Sequence, residues 1–146
     1  ACRIGGLTAG LERRTVDQLT TFGHTYGMAF QIVDDILDVI ATEDQLGKPA
    51  GNDLIEGVYT LPVLLALGSD VGEQLQELLG KELSTEGRDR ALDLIRSTDA
   101  VEEAFARAQF WAQKAKLELE SLPSSPATNA LFAATNHLLD RAQSAS

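Results

Sequence analysis

The sequence is poor in cysteine, in aromatic residues and in long apolar runs. Cys2 is the only cysteine among 146 residues, which excludes an intrachain disulfide and makes a reducing cytoplasm the simplest expected location. No uninterrupted run of 18 apolar residues occurs, so the sequence offers no candidate transmembrane segment. Aromatic residues make up 5% of the chain, and the abundance of Leu and Ala favours helices over strands.

Positive charge is also scarce. Twelve Lys and Arg residues face 22 Asp and Glu residues, which gives a formal net charge of -10. Without a basic patch to neutralise phosphates, nucleic-acid binding is not expected. The chain begins Ala1-Cys-Arg-Ile, without an initiator Met or the charged-then-apolar layout of a signal peptide. We therefore expect it to be a piece of a longer protein.

One segment, Tyr26–Ile40, dominates the chain. Read as a helix, it is apolar almost all the way round, which is typical of a buried helix. One stripe nevertheless carries Gln31, Asp34, Asp35 and Asp38. Residues three and four apart lie on the same helix face. Three carboxylates there repel one another and lose hydration. A site that binds hard cations through oxygen ligands would explain why that cost is tolerated.

The ion that best suits such a stripe is Mg²⁺. It takes one or two carboxylates per site, keeps several waters and completes its shell with substrate phosphates. Mg²⁺ on Asp34, Asp35 and Asp38 would make the acidic face a seat for a diphosphate, with Lys48 as a further positive charge. The same Asp spacing also occurs by chance on solvated helices. Here its flanks are apolar, which favours the metal site over a solvated face. A glycosidase pair formed with Glu43 is not favoured, because acidic clusters on helices rarely present that geometry.

The remaining sequence predicts further helices joined by short loops. Thr15 is predicted to cap the helix that runs through Ile40. Three glycines and a proline indicate a loop over residues 41–58, broken by a short helical turn. Later helices are predicted at 59–67, at 71–79 after a cap at Asp70, from Thr85 or Glu86 to Arg96, at 100–122 after Asp99, and from Ser125-Pro126 onward. We expect a single all-α segment over residues 1–146, with antiparallel helices.

Two blocks of sequence resemble a known family. Phe30-Gln31-Ile-Val-Asp34-Asp35-Ile-Leu-Asp38 resembles the second aspartate-rich motif of trans-isoprenyl (polyprenyl) diphosphate synthases. The stretch Gly47-Lys48-Pro-Ala-Gly51 through Thr60-Leu61-Pro62 resembles the segment that follows it. The close match covers residues 22–67. The resemblance implies the C-terminal portion of an all-α helix bundle of the isoprenoid-synthase type.

The resemblance also implies an activity. Such enzymes are Mg²⁺-dependent prenyltransferases, usually homodimeric, that ionise an allylic prenyl diphosphate and add isopentenyl diphosphate to the cation. Asp34 and Asp35 would hold Mg²⁺ on the allylic diphosphate, and Asp38 would support them through water. Lys48 would contact that diphosphate. The implied catalytic residues, Phe30 and Gln31, would face the reacting ends of the substrates.

The sequence departs from the family pattern in two respects. Val58 stands where many members carry a phosphate-binding lysine. The first aspartate-rich motif and the basic residues for isopentenyl diphosphate are absent from these 146 residues. We expect the segment to hold one wall of a two-walled site and to be inactive alone. The alternative is a non-catalytic or degenerate helical subunit that pairs with a full-length synthase.

Overall fold

The computed structural model describes residues 1–41 and 50–145. This part of the chain is all-α and forms eight helices, without a strand. The helices are α1 (Cys2–Thr8), α2 (Arg13–Ile40), α3 (Asn52–Ile55), α4 (Leu61–Leu67), α5 (Gly72–Leu79), α6 (Thr85–Arg96), α7 (Ala100–Glu120) and α8 (Pro126–Ala145).

The fold is centred on the packing of α2 against α7. Apolar side chains on the inner face of α2, among them Val33 and Ile36, lie in one core with small residues of α7. Those small residues are Ala104, Ala108 and Ala112, each of them fully buried. Alanine leaves room for the larger side chains of α2, so the two longest helices pack closely. Residues of α8 complete this core.

Two further clusters support the ends of α2. At its C-terminal end, Val39 joins a core formed by α3, α4, α5 and α6, with Leu75 and Ile95 fully buried. Near its N-terminal end, Phe22 packs with Ala115 and Leu119 of α7. The acidic stretch of α2 is therefore carried on a helix that is anchored at both ends.

Helix caps confirm some of the predicted boundaries. Ser125 Oγ accepts a hydrogen bond from the Thr128 amide at 3.1 Å, so α8 begins as predicted at Pro126. α6 spans Thr85–Arg96 as predicted, and its cap is Ser84 Oγ, which accepts from the Gly87 amide at 3.1 Å. Side-chain oxygens that satisfy free amides of the first turn define these starts.

Two predicted caps, Thr15 and Asp70, are wrong, and a third, Asp99, is the N-cap residue of α7 but makes no side-chain cap bond. α2 begins at Arg13, because Glu12 is the last extended residue and its carbonyl already accepts from the Val16 amide. Neither Asp70 nor Asp99 makes a side-chain cap. Neighbouring hydroxyls accept instead: Ser69 Oγ from the Val71 amide at 3.4 Å and Thr98 Oγ1 from the Ala100 amide at 3.2 Å. The predicted helix at 59–67 begins two residues later, at Leu61.

The described helices differ in length and in apolar character, the two properties that decide whether a helix can cross a bilayer. None of them combines enough length with enough apolar character to span one.

The tight contact between α2 and α7 generates a prediction. Ala108→Leu should lower the free energy of unfolding by about 1–3 kcal/mol, because a larger side chain overfills a closely packed core. Chemical denaturation followed by circular dichroism measures the change through the urea midpoint. The matched control is Ala106→Leu, since Ala106 is exposed on the same helix. Equal effects of the two substitutions would contradict the proposed importance of this contact.

Candidate metal site

The last three turns of α2 combine a buried helix with an acidic edge. Ile32, Val33 and Ile36 are buried on its inner side. Along the other side the three aspartates differ in exposure: Asp34 is exposed, whereas Asp35 and Asp38 retain only 8% and 6% of their accessible surface. The predicted stripe therefore exists, but its carboxylates lie in different environments.

Asp35 is held in place by two donors. Gln31 Nε2 donates to Asp35 Oδ1 at 2.8 Å from the preceding turn of α2. The Leu61 backbone amide, at the first turn of α4, also hydrogen-bonds to this carboxylate. Two donors from two helices leave the carboxylate little freedom to rotate, which is what a preorganised ligand requires.

The electrostatic cost of Asp35 is visible in its pKa. Burial raises the pKa of the Asp35 carboxyl above its usual range, and the negative charges of Asp34 and Asp38 raise it further. The hydrogen bonds from Gln31 and Leu61 act in the opposite direction without cancelling the effect. A cation beside Asp35 and Asp34 would remove much of this cost, because opposite charge favours the ionised form.

Asp38 is tied to the segment that follows α2. Its Oδ2 accepts a hydrogen bond from the Asp53 amide at 3.2 Å, and its backbone carbonyl accepts from the Gly51 amide at 2.8 Å. One residue of α2 thus fixes both the residue before α3 and a residue within it. The family resemblance implies water-mediated support of metal by Asp38, and the Asp38 side chain also has a direct structural contact.

The segment after α3 turns sharply at a glycine. The Gly57 amide donates to the Leu54 carbonyl at 3.2 Å, and the Val58 amide donates to the Asp53 carbonyl at 2.8 Å. This pair of bonds is the Schellman motif, which requires a left-handed residue; Gly57 has φ of 75°. The side chain of Val58, at the position of the family lysine, is half exposed. Through Asp53, the turn is linked directly to Asp38.

The described residues bring most of the predicted site together. Phe30, Gln31 and Asp34 are all exposed on the outer face of α2, and Asp35 adjoins them through its bond to Gln31. Lys48 lies outside the described residues. The two backbone donors, at Asp53 and Leu61, were not foreseen, because an amide has no signature in the sequence. The glycine spacing at 51 and 57 was the one available signal.

The carboxylates of Asp34 and Asp35 fit Mg²⁺ as part of its set of ligands. Among the described residues, no three Asp, Glu, His or Cys side chains converge into a set that holds a metal by itself. Mg²⁺ does not need such a set, because one or two carboxylates suffice when waters and phosphate oxygens supply the rest. Asp34 and Asp35, adjacent in sequence and both oxygen donors, meet that requirement.

The buried charge of Asp35 generates a prediction for stability. Asp35→Asn should remove a pH-dependent loss of stability, because the amide carries no buried charge; its one oxygen replaces two acceptors, so one of the bonds from Gln31 and the Leu61 amide is weakened at every pH. The folded pKa lies above the ordinary value of 3.8. The unchanged protein therefore loses stability as pH rises from about 3.8 through the folded pKa, and the variant avoids that loss.

Urea unfolding as a function of pH tests this expectation. The free energy of unfolding of the variant relative to the unchanged protein should be constant below pH 3.8, rise through the titration and then stay constant. Asp140→Asn is the control, since Asp140 is exposed on α8. A relative stability that does not change with pH, or that falls as pH rises, would rule out the buried charge as the cause.

Comparison with known proteins places these features in a family. The sequence profile of the family described as Polyprenyl synthetase matches residues 1–95. The chain is 36% identical over 138 residues to heptaprenyl diphosphate synthase component 2 of Bacillus subtilis, and these residues cover 94% of this chain and 40% of the relative. The corresponding protein of Geobacillus stearothermophilus is 41% identical over 131 residues, with 90% and 41% covered.

Solved structures agree with this relationship. Geranylgeranyl pyrophosphate synthase from Corynebacterium glutamicum, determined with calcium and isoprenyl diphosphate, superposes with a TM-score of 0.85 at 35% sequence identity. The match covers 96% of this chain and 44% of that one. Heptaprenyl diphosphate synthase from Staphylococcus aureus gives a TM-score of 0.85 at 31% identity.

The chain spans about two fifths of the length of the curated relatives it matches. The all-α fold predicted from sequence is confirmed, and its likeness to isoprenyl synthases is confirmed with it. Because the family profile matches more than half of the chain and the superposed structures share its helices, the chain belongs to the polyprenyl synthetase family.

Proposed function

We propose that the protein to which this chain belongs is a prenyltransferase. It condenses isopentenyl diphosphate with an allylic prenyl diphosphate, and this chain supplies the second aspartate-rich wall of the site. The observation that carries the proposal is the pairing of exposed Asp34 with buried Asp35, whose carboxylate is held by Gln31 and by the Leu61 amide. Family membership supplies the reaction class.

The proposed metal ligands are Asp34 and Asp35. Asp34 is open to solvent, so it is the ligand that an arriving Mg²⁺ and diphosphate meet first. Asp35 lies deeper and is oriented in advance by its two donors. When bound, Mg²⁺ acts as a Lewis acid that stabilises the departing diphosphate as the allylic C–O bond breaks. The calcium and isoprenyl diphosphate in the Corynebacterium glutamicum enzyme are consistent with a divalent cation beside this substrate class.

The remaining site residues have supporting roles. Asp38 acts chiefly by fixing the position of Asp53, with any contact to metal made through water. Lys48 contacts the diphosphate. Phe30 and Gln31 face the reacting ends of the substrates. Gln31 is exposed and donates to Asp35, which supports a role that links substrate and metal ligand. We further propose that the full-length enzyme is a homodimer.

Binding of Mg²⁺ and inorganic diphosphate by the chain tests the assignment. Isothermal titration calorimetry should detect saturable binding of diphosphate that depends on Mg²⁺. Asp34→Ala should weaken it by about tenfold or more, because metal sites lose that much when a ligand or its support is removed. Asp140→Ala, an equal loss of charge at an exposed position on α8, should leave binding unchanged. Equal weakening by both variants would show that diphosphate binding depends on the net charge of the chain and not on Asp34 in particular.

A second prediction concerns condensation itself. The isolated 146-residue chain should form no elongated product from isopentenyl diphosphate and an allylic diphosphate with Mg²⁺. The exposed side of α2 supplies the carboxylates of one metal-binding motif, whereas the proposed ionisation needs metal bound by two such motifs. Product formation by the chain alone, abolished by Asp34→Ala, would show that these residues suffice.

The alternative is a helical subunit without its own chemistry. One observation favours it: Val58 stands where the family lysine is expected. The names of two relatives, component 2 of an enzyme, indicate that those proteins have a partner and do not separate the two functions. Addition of the chain to a full-length relative distinguishes the two functions. A regulatory subunit would change turnover equally with or without Asp34→Ala, whereas a catalytic wall would require Asp34.

A further inference from the structure

The C-terminal end of α2 has carbonyl groups that need external partners. The last four carbonyls of a helix have no donor within the helix. On α2 the Leu37 carbonyl accepts from the Ala41 amide at 3.0 Å, and the Asp38 carbonyl accepts from the Gly51 amide at 2.8 Å. The next carbonyl, that of Val39, accepts from a side chain on another helix.

That side chain is Arg96, the last residue of α6. Its Nε donates to the Val39 carbonyl at 2.8 Å, across 57 positions of sequence. A guanidinium at a helix C-terminus also interacts favourably with the helix dipole. Asp93, one turn earlier, lies 3.7 Å from Arg96 Nη1 and helps to orient the group. Arg96 thus joins the acidic helix to α6 through a charge-assisted hydrogen bond.

α6 also contacts Gly51, in the segment that follows α2. Gly51 has a left-handed φ of 73°, and a Cβ built there would lie 3.0 Å from side-chain atoms of Arg88 and of Leu92. Leu92 and Ile95 are buried in the core below. A helix with a fixed base therefore holds the end of α2 at Val39 and the following segment at Gly51.

We propose that Arg96 is a positioning residue for the candidate metal site. By holding the Val39 carbonyl, it fixes the last turn of α2 and keeps the Asp38 carboxylate in place to receive the Asp53 amide at 3.2 Å. Arg96 lies beyond the sequence that resembles the family motifs and beyond residues 1–95 of the profile match. The consequence for metal binding rests on the proposed function, whereas the structural role does not.

Amide hydrogen exchange measured by NMR on the full chain tests the structural role. Arg96→Met should reduce protection of the Gly51 and Asp53 amides by about tenfold or more, which is the loss expected from one charge-assisted hydrogen bond. Arg96→Lys should restore most of it, because lysine keeps a donor and a charge at the helix end. Amides of Ala108 and Ala112, in the distant α7 core, should keep their protection.

Arg90→Met is the matched control. Arg90 is exposed on α6 and takes part in no side-chain hydrogen bond or ion pair among residues 1–41 and 50–145. This variant should leave the exchange of Gly51 and Asp53 unchanged. Unchanged protection of these two amides in Arg96→Met would overturn the proposal. Failure of Arg96→Met to fold, or an equal loss at Ala108 and Ala112, would assign Arg96 to general stability and overturn it as well.

A titration with Mg²⁺ and inorganic diphosphate examines the site itself. Arg96→Met should raise the apparent dissociation constant by about threefold or more, since support of a ligand affects metal affinity. Arg96→Lys and Arg90→Met should stay close to the unchanged chain. If the unchanged chain binds neither Mg²⁺ nor diphosphate, the proposed function fails, and the exchange result still decides whether Arg96 positions the turn.

Discussion

The structure depends on the burial of a charged helix edge in an otherwise apolar segment. α2 packs its apolar side against a row of alanines on α7, and both of its ends are anchored in further cores. Asp35 and Asp38 are buried on the helix that this packing holds. Their low exposure follows from the fixed rotation of α2 together with the segments that bond to them. Since a buried carboxylate is unfavourable without donors or a cation, the rest of the site consists of groups that compensate for it.

Those compensating groups are mostly backbone amides, and they come from segments that follow α2 in sequence. The Leu61 amide bonds to Asp35, and the Asp53 amide bonds to Asp38. An amide donor stabilises a carboxylate without placing a full positive charge beside a metal cation, in contrast to a lysine or arginine in the same place. The described residues from Gly51 to Leu61 therefore have two effects: they lower the cost of the buried charges and leave the outer carboxylate, Asp34, accessible.

The sequence predicted the fold class and the acidic stretch of α2 because both depend on local periodicity. Its success with Ser125 and its failure with Asp70 have the same physical origin. Several residues near a helix start can accept from the first-turn amides, and the backbone angle at each decides which one does. Partners distant in sequence were out of reach altogether: nothing in the motif around Asp38 indicates the Asp53 amide, and nothing around Val39 indicates Arg96.

The three aspartates differ in exposure and in their contacts. Asp34 alone is open to solvent. Asp35 is buried beside it, and its side chain is oriented by the bond from Gln31. Asp38 is buried and bonded to the Asp53 amide of α3. One Asp-Asp-x-x-Asp spacing thus produces an exposed carboxylate, a buried carboxylate held by Gln31 and the Leu61 amide, and a buried carboxylate bonded to the segment after α2. The helical repeat alone cannot produce that division, because it places Asp34 and Asp38 on the same face; the bond from Asp53 distinguishes Asp38 from Asp34.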